Sequence, residues 1–344
     1  MRQIYEYHPV VGFRFVPGIT SRVQHEGGGY LIRTNDAGFR CSHEIQNAPT
    51  AGKKRILLFG DSFTAGEGVS NGYRFGDVLE SLIPNLEVYN FGLPATGPDQ
   101  HYLIHREFAH DIAHDLLVIA VFVENIRRVA SRYRYFLDDA GQTVLYAKPY
   151  FTLDDGHLTL HGVPPPKQPI NENELPPDQR QGIAKTARYP RMKKLFSSLS
   201  RRPWFRSTFI DSGLKEKLQR WTGYQPIPEY RNEQGAAWQT MRAVLVEWIS
   251  KQEKPVLLVP IPMYQYVAEL SDPSYYQARL REAAVAGGGR FFDPLPDLVR
   301  NSRKVRRAFY FEHDNHLTRE GHEAVAKSLA PAIQAALGDG PTGT

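Results

Sequence analysis

The chain has 344 residues, of which 41% are hydrophobic and 23% charged, and its formal net charge is +5. This composition is ordinary for a globular protein and provides enough apolar residues for a sizeable core. Lysine and arginine are scattered rather than gathered into a basic stripe interleaved with aromatic residues, which argues against a nucleic-acid partner.

The single cysteine, Cys41, excludes an intrachain disulfide and a zinc site built on cysteines. His8, His157 and His161 lack the partners of a metal site, so we expect neither a metal nor a cofactor. No window approaches the roughly 18 apolar residues of a membrane-spanning helix, and the N-terminus lacks the apolar stretch of a secretory signal. We therefore expect a cytoplasmic protein without a membrane span, and the sequence leaves its oligomeric state open.

Residues 1–50 contain short strands and loops, and we expect them to form an extension packed on the core. Further along, apolar runs alternate with amphipathic segments. The predicted strands are residues 55–59, 86–91, 115–123, 255–261 and 290–293, and the predicted helices are residues 72–83, 98–110 and 234–251. This alternation predicts a parallel sheet with right-handed crossovers and assigns residues 51–129 and 233–338 to one α/β core.

The alternation fails between residues 130 and 232, which we interpret as an inserted, irregular α+β segment that caps the substrate site. Within it, YFTLDDGHLTL predicts a hairpin that turns at Asp155-Gly156, and VPPPKQPINENELPP predicts an extended loop. The aromatic residues of the insertion suit either a small core of their own or a platform for sugar rings: Trp204, Trp221, Tyr224 and Tyr230. Residues 339–344 are expected to form a flexible tail.

A final helix is predicted to begin after Thr318, which is a plausible N-cap. Its apolar residues recur at a spacing of four, namely Val325, Leu329, Ile333 and Leu337. Pro331 lies inside this pattern and is expected to kink or shorten the helix.

Polar and small residues follow the ends of the predicted strands. In a parallel sheet these ends meet at one edge, where reactive and ligand-binding groups collect. The residues concerned are Gly60, Asp61 and Ser62 after the first strand, Asn90, Gly92, Ala95 and Gly97 after the second, Glu124 and Asn125 after the third, and the segment FEHDNHLTREG near the end of the chain.

A serine hydroxyl needs a general base, and the base needs an orienting partner, before it can act as a nucleophile. Ser62, His316 and Asp314 supply all three, in the order Ser…Asp…His that occurs in triads on α/β folds. The G-x-S-x-G elbow is absent, which disfavours an α/β-hydrolase.

Four segments together resemble the SGNH (GDSL-like) hydrolases, in order and across most of the chain. These are GDSFTAGEG, NFGLPATGPDQ, VFVENIRR and HDNHLTREGH. The resemblance implies a three-layer α/β/α sandwich around a mostly parallel, flavodoxin-like sheet. It also implies Ser62 as nucleophile, His316 as general base and Asn125 as an oxyanion donor. The segments GFRFVPG and RTNDAGFR resemble a preamble of large bacterial members, which implies a bacterial protein.

Two positions depart from the family pattern. Ala95 stands where the second segment usually has glycine, whose backbone N–H points into the oxyanion hole. Alanine still has this donor, and Gly92 or Gly97 is the alternative if the alignment is shifted. The last segment is often D-x-x-H, whereas Asp314 lies two residues before His316. This separation puts both side chains on one face of extended backbone, and a local turn could also bring the aspartate to the imidazole. Glu312 is a weaker substitute for the aspartate.

The resemblance implies a serine esterase that removes a small O-acyl group, acetyl in the first place, from a carbohydrate, a glycoconjugate or a secondary metabolite. Ser62 would carry the acyl-enzyme, His316 and Asp314 would complete the triad, and Ser62, Ala95 and Asn125 would form the oxyanion hole. An O-acyltransferase with the same acyl-enzyme and a non-catalytic binding module on a degenerate hydrolase fold are the alternatives. A flavodoxin-like nucleotide binder is more remote, because its phosphate loop would want more hydroxyls and glycines.

Each candidate residue also has a structural interpretation. Ser62 and Asn125 could cap the helices that follow them, and His316 could be a surface histidine. Asp61 is expected to make structural hydrogen bonds at the turn. His322, within the last helix, is expected to pack or to lie at the surface rather than to take part in catalysis.

Overall fold

The computed structural model describes residues 4–137, 142–177 and 224–338. The predicted tail at 339–344 and the basic, aromatic part of the insertion that contains Trp204 and Trp221 lie outside these residues. Among the described residues, no helix is long and apolar enough to cross a membrane.

The elements have the following bounds. The strands are β1 (Tyr5–His8), β2 (Gly12–Phe15), β3 (Thr20–Val23), β4 (Tyr30–Arg33), β5 (Lys54–Phe59), β6 (Leu86–Asn90), β7 (Leu116–Phe122), β8 (Tyr133–Leu137), β9 (Thr143–Ala147), β10 (Tyr150–Asp154), β11 (His157–His161), β12 (Val256–Ile261) and β13 (Arg290–Phe291). The α-helices are α1 (Ser62–Ala65), α2 (Phe75–Leu82), α3 (Pro98–Ile104), α4 (Asn125–Val129), α5 (Ala236–Ser250), α6 (Tyr264–Val267), α7 (Ser274–Ala286), α8 (Leu295–Val299), α9 (Arg303–Ala308) and α10 (Arg319–Leu337). A π-helical turn, His105–Ala109, continues α3.

A parallel sheet of five strands forms the centre of the fold, in the order β13-β12-β7-β5-β6. Numbered along the chain, these strands lie in the flavodoxin-like order 2-1-3-4-5. Every residue of β6, β7 and β12 is buried, as expected for a parallel sheet that is covered on both faces.

The helices form two groups. Helix α2 packs on α10, whereas α3, α4 and α7 pack on α5. Right-handed crossovers from this strand order put the two groups on opposite faces of the sheet. The predicted three-layer α/β/α arrangement with a parallel, flavodoxin-like sheet is therefore confirmed.

Helix α10 corrects one half of a prediction, the shortening at Pro331, and leaves the predicted kink untested. Thr318 caps it, accepting a hydrogen bond from the Gly321 N–H at 3.2 Å, but the helix is not shortened at Pro331 and continues to Leu337. Proline costs one backbone hydrogen bond, and the buried face on both sides of it, with Leu329 before and Ile333 after, keeps the helix in place.

The first fifty residues are more regular than expected, because they contain the antiparallel hairpins β1–β2 and β3–β4. Val11, Phe15, Ile32 and Phe39 from this extension are buried in the same hydrophobic core as the central sheet.

The insertion contributes two more hairpins, β8–β9 and β10–β11. The second turns at Asp155 and Gly156, whose φ angles of 49° and 81° suit a tight two-residue turn, as the sequence predicts. Tyr230 corrects the interpretation of the insertion's aromatic residues, because it is fully buried in the main core, 5.9 Å from the Trp238 ring.

Candidate active site

The turn after β5 places Ser62 at the start of α1. Asp61 is the N-cap, and its Oδ1 accepts a hydrogen bond from the Phe63 N–H at 3.0 Å. Ser62 is therefore not the cap, and its hydroxyl is left for other partners. Gly60 is required at this turn, since a Cβ there would lie 2.9 Å from the Ala120 carbonyl oxygen.

The structure joins Ser62, His316 and Asp314 in one chain of hydrogen bonds. The Ser62 Oγ lies 2.8 Å from His316 Nε2, and His316 Nδ1 lies 2.6 Å from Asp314 Oδ2. The short D-x-H spacing works because the intervening Asn315 adopts a left-handed conformation, with φ of 64°. Asparagine tolerates this conformation better than most residues, so the turn brings both side chains together at small cost.

A second histidine also contacts Asp314. His25 Nε2 lies 2.9 Å from the same Oδ2. The Gly27 N–H donates to His25 Nδ1 at 3.4 Å, so the proton of His25 is on Nε2 and is donated to the carboxylate. Asp314 thus accepts hydrogen bonds from two imidazoles, one of which comes from the N-terminal extension.

The loop that contains Asp314 is held by the same part of the extension. The backbone N–H groups of His313 and Asp314 donate to the Glu26 carboxylate at 3.1–3.2 Å. The ring of Phe311 lies edge-on to His25, with 4.4 Å between the ring centroids. The position of Asp314 therefore depends on residues 25–26.

The protonation of the pair follows from these contacts. Burial alone would raise the pKa of Asp314, but the hydrogen bonds from His316 and His25 outweigh burial and lower the pKa to about 2. Burial alone would lower the pKa of His316, but its bond to Asp314 and the nearby Glu67 carboxylate, 3.6 Å from Nε2, raise it above its usual 6.5. At neutral pH Asp314 is ionised and can orient the His316 ring.

A buried polar cluster adjoins Ser62. Asp61 Oδ2 accepts from Arg128 Nη1 at 2.6 Å and from Asn125 Nδ2 at 3.0 Å. Arg128 also donates to the Thr96 carbonyl at 2.9 Å, and Asn125 Nδ2 lies 3.5 Å from the same oxygen. Asn125 is the first residue of α4, whose N-cap is Glu124, so its side chain does not cap the helix. The cluster ties together the loops after β5, β6 and β7.

The loop after β6 supplies the other predicted oxyanion positions. The Gly92 N–H is already used in another hydrogen bond, since it donates to Asn90 Oδ1 at 2.9 Å. Gly97 is the N-cap of α3, and a Cβ there would lie 3.1 Å from the Cβ of Arg128. Ala95 has a φ of 68°, a left-handed conformation that explains why glycine suits this position. Its N–H donates to no acceptor among the described residues.

A cleft of about 400 Å³ adjoins the triad. Phe63 and His316 line one part of it, and Tyr133, Arg134 and Tyr264 line another. A larger cavity, of about 720 Å³, is lined by residues such as Tyr224, Tyr275 and Pro296 and includes no member of the triad. The position of the reactive groups, rather than size, selects the smaller cleft as the candidate active site.

The sequence analysis does not predict a role at this site for three of its residues. Glu67 lies within GDSFTAGEG, and Arg128 lies three residues after Asn125, on the same face of α4, so both had a local signal. His25 had none, because 289 residues separate it from Asp314. Of the two positions predicted for His322, the structure shows the packed one: the side chain is buried and accepts from the Phe75 N–H at 3.2 Å. Within the described ranges, no group of three His, Cys, Asp or Glu side chains could hold a metal ion.

Comparisons with known proteins give a likeness in structure only. No family model matches the sequence, and no curated protein matches it. The chain is similar to LAE5, an alpha/beta hydrolase enzyme from the metagenome of Lake Arreo, Spain, at 13% identity over 84% of this chain and 97% of that chain, with a TM-score of 0.42. It is also similar to the acetyl xylan esterase AlAXEase, at 11% identity over 81% and 99% of the two chains, with a TM-score of 0.43.

A carbohydrate acetylesterase family member from Sinorhizobium meliloti is similar at 15% identity over 83% of this chain and 99% of that chain, with a TM-score of 0.33. Likenesses of this size do not bear on the chemistry of the site, which depends on the side-chain geometry described above.

Proposed function

We propose that this chain is an SGNH-type serine esterase, a carboxylic ester hydrolase that forms an acyl-enzyme on Ser62. The observation that carries the proposal is the chain of hydrogen bonds from the Ser62 hydroxyl through His316 to Asp314, at 2.8 and 2.6 Å. These distances are those of a nucleophile, a base and an orienting carboxylate in contact. The four sequence segments that resemble the SGNH hydrolases supply the same residues.

In the first step, His316 Nε2 takes the proton of Ser62 while Oγ attacks the ester carbonyl. Asp314 keeps the Nδ1 proton in place and stabilises the imidazolium. The protonated His316 then gives its proton to the leaving alcohol. Water next attacks the acyl-enzyme with His316 again as the general base, and the acid is released as Ser62 regains its proton.

The oxyanion is assigned to the backbone N–H groups of Ser62 and Ala95 and to the side-chain amide of Asn125. Asn125 Nδ2 keeps its bond to Asp61 and exchanges its long 3.5 Å contact with the Thr96 carbonyl for the oxyanion. That carbonyl stays paired, because Arg128 donates to it at 2.9 Å. Removing one oxyanion donor typically lowers turnover on the order of 10²–10³-fold.

The substrate class is a small O-acyl ester, acetyl in the first place, of a carbohydrate, a glycoconjugate or a secondary metabolite. The cleft of about 400 Å³ supports a small substrate, since it lies near the lower end of ligand pockets, which hold roughly 300–1,000 Å³. Tyr133, Tyr135 and Tyr264 line it and offer the flat faces on which sugar rings pack.

The proposal is tested with p-nitrophenyl acetate and a fluorophosphonate probe. Ser62→Ala should abolish both hydrolysis and labelling, whereas Ser81→Ala, an exposed serine on α2, should leave both unchanged. A rate and a labelling yield that survive in Ser62→Ala would refute the role of Ser62. A wild-type chain that shows neither reaction would favour a binding module on the same fold.

A transferase would use the same acyl-enzyme, and the two activities differ in whether water or an acceptor hydroxyl attacks it. Product analysis with and without a sugar acceptor separates them. Free acetate in both reactions supports the esterase, and acylated acceptor at the expense of acetate supports the transferase.

A further inference from the structure

Arg134 occupies an unusual place in the candidate active-site cleft. It lies on β8, the first strand of the insertion, and lines the cleft together with Phe63 and His316. None of the four segments that resemble the SGNH hydrolases contains it. The mechanism of the triad does not require an arginine at this position, so the positive charge of Arg134 needs another explanation.

The Arg134 guanidinium has no partner among the described residues. Its Nε is buried without a hydrogen bond, and no salt bridge to its side chain is present in that part of the chain. The neighbouring arginines differ in this respect. Arg127 bonds Glu229 at 2.6 Å and Glu124 at 3.2 Å, and Arg128 bonds Asp61 at 2.6 Å.

The carboxylates that line the cleft cannot neutralise Arg134, because each is already engaged. Glu124 is bonded to Arg127, and Asp314 is bonded to His316 and His25. Glu67 and Asp61 act on Arg134 only from a distance, without contact. Among the described residues, therefore, no acidic side chain in contact with Arg134 balances its positive charge.

This arrangement is costly unless something pairs with it. Arg134 is half-buried, and its buried Nε has lost its hydration without gaining a hydrogen bond. Burial, and then the charge of Arg128, lower the pKa of Arg134 to about 9, which still leaves the side chain charged at neutral pH. A planar guanidinium with free donors is best matched by a carboxylate, which it can bind through two parallel hydrogen bonds.

We propose that Arg134 forms an anion subsite of the cleft and that the natural substrate carries a carboxylate on the alcohol portion of its ester. This inference rests on the proposed esterase function and narrows its substrate class to acidic O-acyl compounds, such as an acylated uronic acid. Arg134 contacts the substrate away from the reacting atoms, so it selects the substrate and takes no part in proton transfer.

The test compares two acetyl esters of the same size, 4-acetoxybenzoate and 4-acetoxybenzamide, which differ in the charge of the alcohol portion. Wild-type protein should show a higher kcat/KM for the benzoate. In Arg134→Gln the ratio of the two kcat/KM values should fall by about 10- to 100-fold, as expected for the loss of a charge-assisted hydrogen-bonded pair. Arg134→Lys, which keeps the charge but lacks the planar pair of N–H donors, should restore part of the preference for the benzoate.

Arg132→Gln is the matched control. Arg132 lies two residues earlier, is exposed and does not line the cleft, so the ratio should not change. An equal loss for both esters in Arg134→Gln, or a wild-type protein without preference, would overturn the subsite.

Binding provides a readout that does not depend on catalysis. Titration calorimetry with 4-acetamidobenzoate and 4-acetamidobenzamide should show tighter binding of the carboxylate to wild-type protein, weakened by salt and lost in Arg134→Gln. Equal binding of the two amides refutes the anion subsite even if the esterase is active. Selective binding without any ester hydrolysis keeps the subsite and rejects the esterase.

Discussion

The groups on the two sides of Ser62, the proposed nucleophile, are held by different means. Beneath it, Asp61 is bonded to Asn125 and Arg128, and its side chain is 1% exposed. Beside it, Asp314 orients His316 with a side chain that is 35% exposed and is bonded to His25 of the N-terminal extension. The first arrangement is fixed by the ends of adjacent strands, and the second by a contact between distant parts of the chain. The comparison predicts that damage to the first costs stability, whereas damage to the second costs activity.

The largest expected effect is on stability, from Arg128→Ala. The change leaves the Asp61 carboxylate buried without its 2.6 Å partner, so we expect the free energy of unfolding to fall by about 3–5 kcal/mol. Urea unfolding followed by circular dichroism measures it. Arg300→Ala, which removes an exposed arginine paired with Asp297, should cost less than about 1 kcal/mol. Equal losses in the two variants would contradict the difference between the buried cluster and the surface.

The second effect is on turnover, from His25→Ala. Asp314 loses one of two hydrogen bonds, so we expect kcat for p-nitrophenyl acetate to fall about 10-fold with little change in KM, which corresponds to about 1.4 kcal/mol. His43→Ala is the matched control, because His43 also belongs to the extension and bonds a carboxylate, Glu80, at 2.6 Å, outside the site. A His25 variant that loses stability but keeps its kcat would show that the residue only supports the fold.

The third effect is on the pH profile, from Glu67→Gln. His316 must be neutral to accept the Ser62 proton, so kcat/KM rises as the pH increases through the pKa of His316. Glu67 is one of the groups that raise this pKa, and its removal should therefore move the acid limb of the profile to lower pH. Glu323→Gln, an exposed carboxylate on α10, should not move the limb. A shift to higher pH would contradict the assigned contact.

The smallest effect is on the backbone, from Ala95→Gly. Alanine at a φ of 68° is strained by about 1–2 kcal/mol, whereas glycine is not, and glycine loses more entropy on folding. The free energy of unfolding should rise by up to about 1 kcal/mol. Ala330→Gly, inside α10, should instead lower it by about 1 kcal/mol. A loss in both variants would mean that the left-handed turn is not strained.

Much of the core was predictable because its signals are local. The apolar runs at β5, β7 and β12 and the helical pattern of α5 were assigned from sequence, with bounds that shift by one or two residues. Pro331 does not shorten α10, since packing on both sides of it outweighs the lost hydrogen bond. The hairpins of the extension were anticipated only as short strands, because register depends on partners that a local pattern does not identify.

The candidate site, like the core, has a part that the sequence predicts and a part that only the structure shows. The sequence predicts four residues of the site, because short polar segments follow the strands of the predicted sheet and resemble known motifs. These residues are Ser62, Asn125, Asp314 and His316. The turn at Asn315 that joins Asp314 to His316 is visible only in the structure, because the same short sequence is compatible with an extended and with a left-handed conformation of Asn315.

By itself, the sequence determined an α/β core with a parallel sheet and gathered four polar segments at one edge of it, since strand periodicity and chain order suffice for that. Only the tertiary structure decided that His25 supports Asp314, that Arg128 pairs with Asp61 and that Arg134 finds no partner in the part of the chain that the structure describes. Pairing of charges depends on distances across the folded chain, and residues as far apart as 25 and 314 leave no periodic or spacing signal from which such a distance can be read.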